Sequence, residues 1–370
     1  MVLSRGGLRL CKGPPAPKGG ISWETIGFGL RKDSQMARAV WADGRWGEVE
    51  VTPYGPLPME PGATALNYGQ SLFEGMKATR TSKGRVALFR PGKNAQRMQA
   101  GGRRFLMPAL PSSLFLDTVR HCVVANGELI PPHGKGSLYL RPLYFGSGAG
   151  LGVAPSTEYT FVTFGSPVGG YFTPGSGRGA RMKLELSHQR AAPKGVGYVK
   201  AAGNYAPCFA SQQKAKAEGF NDVIYADVTA TYIEEVAAAN MFVVTKDGTV
   251  YTPDLGQILP GVTRDSIIQI VGKLMPELKL VVGQVPLDVL FEAEEAFCCG
   301  TAAVLTSIEH VSDGTRHRDF TPMGPVTSRI YKILTGIQNE THPDEFGWLV
   351  DPFDTDALAR AAAESDGTAV

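Results

Sequence analysis

Charge of one sign, long apolar stretches and paired cysteines are what this sequence lacks. Its 37 Lys and Arg side chains nearly balance 35 Asp and Glu, leaving a net charge of +2. A nucleic-acid binder usually carries a basic stripe or a strong basic excess, so that class is a poor reading. No uninterrupted apolar run approaches the roughly 18 residues of a membrane span. The five cysteines (Cys11, Cys122, Cys208, Cys298 and Cys299) are scattered and form no C-x-x-C. They fit neither a disulfide framework nor a zinc site, and point to a reducing compartment. Adjacent Cys298 and Cys299 read as two small core residues on opposite faces of a strand. The six histidines show no metal-ligand spacing.

What is present is a chain of 370 residues, long enough for two domains with real cores. Up to Trp23 it has no acidic residue but carries Arg5, Arg9, Lys12 and Lys18. Such a start resembles the tail of a chloroplast or mitochondrial transit segment, and reads equally as an unstructured basic terminus of a cytoplasmic protein. Residues 21–58 read as an irregular lead-in with short strands. The patterns then predict strands over 86–89, 138–145 and 159–164, with helices over 94–102 and 113–126. Glycine and proline crowd residues 165–177 and predict a domain boundary there. Beyond it, predicted strands 182–186, 222–226, 240–245 and 297–306 mix with helices 208–218 and 264–275. The alternation is irregular, so α+β is favoured over a doubly wound parallel sheet. The expected division is a basic segment 1–22, a small N-terminal domain 23–164, an interdomain loop 165–178 and a large domain 179–370.

Several residues have side chains suited to chemistry. Taken alone, Lys200 reads as a lysine snorkelling out of an apolar run; its sharper reading is a desolvated amine able to form a Schiff base. Glu234 and Glu235 are either solvated turn charges or, for one of them, an inward carboxylate facing a cationic ring nitrogen. Residues 260–263 lead into an amphipathic helix, with Thr263 as the expected N-cap and the free N–H groups as a natural phosphate site. The small-residue turn Gly300-Thr-Ala-Ala303 exposes backbone N–H groups suited to a phosphate or a carboxylate. Tyr139 and Arg141 share one strand face, and a buried arginine beside hydroxyls is costly unless it meets an anion.

In this order, the motifs Asn67-Tyr-Gly-Gln-Ser-Leu-Phe-Glu-Gly, Tyr139-Leu-Arg-Pro-Leu, Lys200-Ala-Ala-Gly-Asn-Tyr, Glu235-Val-Ala-Ala-Ala-Asn-Met-Phe, Leu259-Pro-Gly-Val-Thr-Arg and Gly300-Thr-Ala resemble one family. It is the branched-chain amino-acid aminotransferases, pyridoxal-phosphate enzymes of fold type IV. The similarity runs from about residue 21 to 350. The segments 21–29 and 297–302 look most like the plant and algal branch. The resemblance implies a two-domain, fold-type IV aminotransferase-like α+β chain. Its small N-terminal domain is α/β, and its larger C-terminal domain holds a mixed, barrel-like sheet.

The same resemblance implies the site. Lys200 would carry pyridoxal 5'-phosphate as a Schiff base and move the proton. Glu235 would face the ring nitrogen and Tyr205 the ring hydroxyl. Arg97, Val262, Thr263, Gly300 and Thr301 would surround the phosphate, while Thr301 and Ala302 would receive the substrate α-carboxylate. Tyr68, Phe73, Tyr139 and Arg141 would line the substrate pocket, with Leu151 and Val153 reaching it from the partner subunit of a homodimer. The implied reaction exchanges the amino group of leucine, isoleucine or valine with 2-oxoglutarate to give glutamate, Arg141 being the candidate for the second carboxylate. Ala238 departs from a threonine of some relatives. Residues 300–307 lack the C-x-x-C switch of the animal enzymes, which predicts no redox regulation of that kind. The alternatives are a D-amino-acid aminotransferase, an aminodeoxychorismate lyase, or a non-catalytic interaction protein on the same scaffold. The motifs at 139–141 and 300–302 disfavour the first two; joint retention of Lys200, Glu235, Tyr205 and Arg97 disfavours the third.

Overall fold

The computed structural model describes residues 21–169 and 179–367. The basic segment up to residue 20 and the stretch 170–178 of the expected interdomain loop lie outside the described residues. Residues 165–168, also expected in that loop, instead complete the strand Tyr159–Val168.

Two sheets organise the chain. The first is antiparallel throughout and follows the order Leu349–Val350, Val86–Phe89, Met76–Arg80, Ser137–Gly146, Tyr159–Val168, Gln35–Ala42, Arg45–Trp46. The long strands Ser137–Gly146 and Tyr159–Val168 are rich in aromatic and β-branched residues, which suits buried sheet positions. Helices Pro91–Arg104, Ser112–Ala125 and Thr355–Gly367 pack on this sheet around Phe115, Leu116, Val119, Leu138 and Leu140. The lead-in region is more regular than its weak periodicity predicted, because Gln35–Ala42 is an eight-residue strand paired with Arg45–Trp46, Glu50–Pro53 and Tyr159–Val168.

The helix expected over 94–102 runs from Pro91 to Arg104. Proline is at home in the first turn, where its missing N–H has no intrahelical acceptor. The helix also carries Gly101 and Gly102 in its interior, despite their poor propensity. A Cβ at Gly101 would lie 3.1 Å from Val199 and 3.2 Å from Leu72. The bare backbone therefore lets this helix press against the two segments that flank Lys200.

The second sheet is mixed and closes. Strands Ala239–Val244, Glu295–Gly300, Val304–Ser312, Ala180–Glu185, Asp222–Ala226 and Tyr232–Val236 pair in that order, and Tyr232–Val236 pairs back onto Ala239–Val244. The result is a six-stranded ring, filled by Met182, Ile224, Ile233, Met241, Val243, Cys298 and Ile308. Alternate residues Phe242, Val244, Phe297 and Cys299 pack outward against helices Val262–Leu274 and Pro325–Gln338. Cys298 and Cys299 thus face opposite sides of one strand, as their adjacency predicted. Burial pushes the Cys298 thiol up to about 12 and raises Cys299 as well, so neither is a reactive thiolate.

Residues 349–367 return to the first sheet as a short strand beside Val86–Phe89 and a helix whose Leu358 and Ala362 enter its core. The reading from sequence had grouped this stretch with the large second unit; its apolar face finds its partners on the first. Among the described residues no helix is long and apolar enough to cross a membrane.

Outside the cavity, a cluster around Glu340 ties the halves together. Arg85 donates to both of its carboxylate oxygens at 2.8 and 2.9 Å, Thr81 adds a bond of 2.7 Å, and Lys83 stands at 3.3 Å. The hydrogen bond from Arg85 is the leading influence that holds this carboxyl down to about 2. A depressed carboxyl stabilises the fold above its unfolded pKa near 4.3, and that contribution is lost as pH falls toward 2. Glu340→Gln is therefore expected to lower unfolding free energy by about 1 kcal/mol at pH 7 and by nearly nothing at pH 2. Urea titrations at both pH values check this; an equal loss at each would show that the charge is not responsible.

Candidate active site

A cavity of about 480 Å³ opens on the seam between the two sheets. The first half contributes Phe73, Arg97, Tyr139 and Arg141; the second contributes Lys200, Tyr205, Glu235, Val262, Thr263, Gly300, Thr301 and Ala302. Twelve of the residues singled out from sequence therefore meet in one place, although they span positions 73 to 302.

Lys200 is held by backbone rather than by regular structure. Its carbonyl accepts from the Phe73 N–H at 3.1 Å, and Leu72 and Ala201 form an antiparallel bridge. Just beyond, the Asn204 side chain donates to the carbonyls of Val196 and Val199, both at 2.8 Å, closing the loop on itself. The amine so placed donates to the Tyr205 hydroxyl at 3.0 Å and lies 4.6 Å from the Phe73 ring centre. It points into the cavity.

Glu235 sits on strand Tyr232–Val236 with its side chain only 2% exposed. Arg190 contacts it at 2.5 Å, the Leu259 N–H donates at 3.1 Å and the Asn240 amide at 3.4 Å. Burial dominates and raises this carboxyl to about 7, against the opposing pull of Arg190 and the Leu259 N–H. It is thus a buried carboxyl beside a cation, facing the cavity. Glu234, its neighbour in the strand, is also buried and raised to about 7, but does not line the cavity.

Arg97 lies on helix Pro91–Arg104 and makes a two-point contact with Glu74 at 2.6 and 2.7 Å. Its remaining terminal nitrogen donates to the Pro260 carbonyl at 2.8 Å, across the seam. Burial works against its charge, but the Glu74 carboxylate outweighs that and holds the guanidinium above its ordinary value. Next to it begins helix Val262–Leu274, whose N-cap is Gly261 and which has no side-chain cap. Thr263, expected at the cap, is the second helical residue instead. The cap must be glycine because a Cβ there would stand 1.9 Å from the Asn240 amide oxygen. Uncapped N–H groups of Val262 and Thr263, the guanidinium of Arg97 and the Thr301 turn form a donor set suited to a dianionic phosphate.

The opposite wall is aromatic and aliphatic: Phe28, Phe73, Leu143 and Phe164. Set into it, Arg141 donates to the Tyr139 hydroxyl at 3.2 Å and stacks 4.8 Å from the Phe73 ring centre. Among the described residues its buried Nε has no hydrogen-bond partner.

Tyr68, Leu151 and Val153 are not brought into this cavity. Leu151 and Val153 are 94% and 86% exposed on an outer loop, and the Tyr68 hydroxyl donates to the Leu151 carbonyl at 2.6 Å. Tyr68 ends the short helix Thr64–Tyr68, which a left-handed Gly69 terminates, and the chain turns away there. Conversely, reading the sequence missed Arg190, Glu74 and Asn240. Glu74 stood inside a quoted motif, where a lone acid between Phe73 and Gly75 was the available signal. Arg190 lies in a stretch without periodicity and offered none.

The donor set therefore accommodates an aldehyde-bearing aromatic phosphate: an amine for the aldehyde, a buried acid for a ring nitrogen, and a helix N-terminus with an arginine for the phosphate. The comparisons with known proteins agree in direction. The model of the amino-transferase class IV family matches residues 71–311. The chain is 42% identical to branched-chain-amino-acid aminotransferase 5, chloroplastic, of Arabidopsis thaliana over 335 residues, covering 89% of this chain and 80% of that protein. It is 44% identical to the mitochondrial branched-chain-amino-acid aminotransferase 1 of the same plant, covering 89% and 86%. Among solved structures, a branched-chain amino acid aminotransferase from Escherichia coli superposes with a TM-score of 0.71 at 28% identity, covering 86% of this chain and 100% of that one.

Proposed function

Since this chain belongs to the amino-transferase class IV family, and within it to the branched-chain-amino-acid aminotransferases, we propose that it moves the amino group of leucine, isoleucine or valine to 2-oxoglutarate using pyridoxal 5'-phosphate carried on Lys200. One observation carries the reading furthest. An amine, a buried carboxyl, a helix N-terminus and an arginine with an unused buried donor converge on one cavity with an apolar wall.

When bound, pyridoxal phosphate supplies the aldehyde that takes up the amino group and an electron-poor ring that eases loss of the α-proton. The remaining work falls to the protein. Lys200 Nζ, steered by the Tyr205 hydroxyl, takes the α-proton as general base and returns it on the other side of the exchange. Glu235, braced by Arg190, would face the ring nitrogen and hold a proton there. Arg97 with the Val262 and Thr263 N–H groups would anchor the phosphate. Thr301 and Ala302 receive the α-carboxylate shared by both substrates. Phe28, Phe73, Leu143 and Phe164 take the aliphatic side chain, while Arg141 and Tyr139 take the second carboxylate of the oxo acid. With an aliphatic substrate in place, the Arg141 cation rests on the aromatic faces and the Tyr139 hydroxyl, which spares it full desolvation.

We infer that the exposed residues Tyr68, Leu151 and Val153 reach the cavity of a second copy of the chain. Sedimentation is expected to give twice the 39.5 kDa chain mass, and a monomeric mass with full activity would exclude that role. The acid-free basic start fits import into a chloroplast or mitochondrion, the compartments named for the two plant relatives.

Two substitutions test the assignment. Lys200→Ala should abolish turnover while leaving the circular dichroism spectrum unchanged; a near-normal rate would remove Lys200 from the reaction. Arg141→Met should slow the half-reaction with 2-oxoglutarate by about a hundredfold and that with leucine only a few-fold. Single-turnover absorbance measures both, and equal slowing would overturn the role of Arg141 as carboxylate partner.

A further inference from the structure

Lys77 takes no part in the chemistry described so far, yet its amine is enclosed at the site. It lies on strand Met76–Arg80, opposite Tyr139 in the ladder, and its Nζ donates to the Ala302 carbonyl at 3.0 Å. That bond crosses the seam from the first sheet to the turn joining Glu295–Gly300 and Val304–Ser312. Lys77, Val262, Thr263 and Thr301 also line a small void of about 40 Å³ directly behind the phosphate end of the cavity. Burial lowers the amine to about 8, and among the described residues no neighbouring carboxylate offsets this. An ammonium enclosed without a counter-ion is costly unless an anion arrives nearby.

The turn it grips is strained. Gly300 pairs with Val304, leaving three residues to reverse the chain, and Val304 has φ 60°. A β-branched residue in the left-handed region holds that conformation only where its surroundings enforce it. The Lys77 bond restrains the same turn at Ala302. A peptide unit is planar, so fixing the Ala302 carbonyl toward the first sheet fixes the plane that joins Ala302 to Ala303.

We propose that Lys77 is a positioning residue for substrate binding: it pins the 301–303 turn from across the seam, so that the turn's N–H groups stand ready for the α-carboxylate, and it supplies the positive charge behind them. This rests on the reading above that the Thr301–Ala302 turn receives that carboxylate. Because amino and oxo acids share the group, Lys77 acts on both halves of the exchange alike, unlike Arg141.

The test uses the cofactor-loaded enzyme with Lys77→Met, Lys77→Gln and Lys77→Arg. In the Met and Gln variants KM for L-leucine and for 2-oxoglutarate should each rise about tenfold, with kcat changed less than about threefold and the visible cofactor band kept. Lys77→Arg should restore most of the loss. Calorimetry with 4-methylpentanoate and its uncharged amide separates positioning from general loosening. Affinity for the acid should fall about tenfold in the Met variant, while affinity for the amide stays within about twofold. Equal weakening of acid and amide, or unchanged KM values in a folded variant, would overturn the proposal. Should the Met variant not fold, the Gln variant decides by the same readings. An unmodified enzyme without leucine turnover would instead overturn the underlying transaminase reading.

Discussion

The Glu74–Arg97 pair is the interaction on which the cavity depends. Both side chains are removed from water, which is expensive for each ion. The cost is offset by two-point geometry, by Asn94 donating to the same carboxylate at 2.8 Å, and by the Pro260 carbonyl taking a further donor. Glu74 belongs to a link between two strands of the first sheet, Arg97 to a helix on that sheet, and Pro260 to the approach of helix Val262–Leu274 in the second half. One guanidinium thereby sets the distance between an aromatic wall and a helix N-terminus. Two further contacts across the seam at the cavity, Phe73 to Lys200 and Lys77 to Ala302, lie beside that spacing.

Much of the site was legible because its motifs are local. Lys200 and Tyr205 are five residues apart, and their contact follows from one short loop. Tyr139 and Arg141 share a strand face by simple alternation. The adjacent cysteines declared a strand buried on both sides. What escaped were partners supplied from far along the chain. Glu235 needs a buried cation, but nothing marks Arg190, 45 residues earlier, as that cation. Arg97 needs an anion, and Glu74 answers only once a helix is laid across a sheet. The boundaries that shifted have the same origin. Pro91 lengthens a helix that local periodicity started at residue 94, and Gly261 displaces Thr263 as cap because Asn240 occupies the space a side chain would need. The return of residues 349–367 to the first sheet is likewise decided by packing partners alone.

The substrate side must accept an aliphatic group and a carboxylate in one space. An apolar pocket alone would reject the acid, and an exposed cation would bind water in preference to leucine. Arg141 resolves the conflict by lying flat against Phe73 and Tyr139, so that the wall presents hydrocarbon with a cation recessed in it. Among the described residues its buried Nε has no partner, which leaves a donor available to a second anion.

The chain passes from the first sheet to the second between residues 169 and 179, and comes back between residues 338 and 349. Beyond these two covalent passages, the Leu72–Ala201 bridge, the Arg97–Pro260 bond and the Arg85–Glu340 pair also cross between the halves. The two walls of the mouth are therefore tied at several heights, and whatever enters is met by both in fixed register.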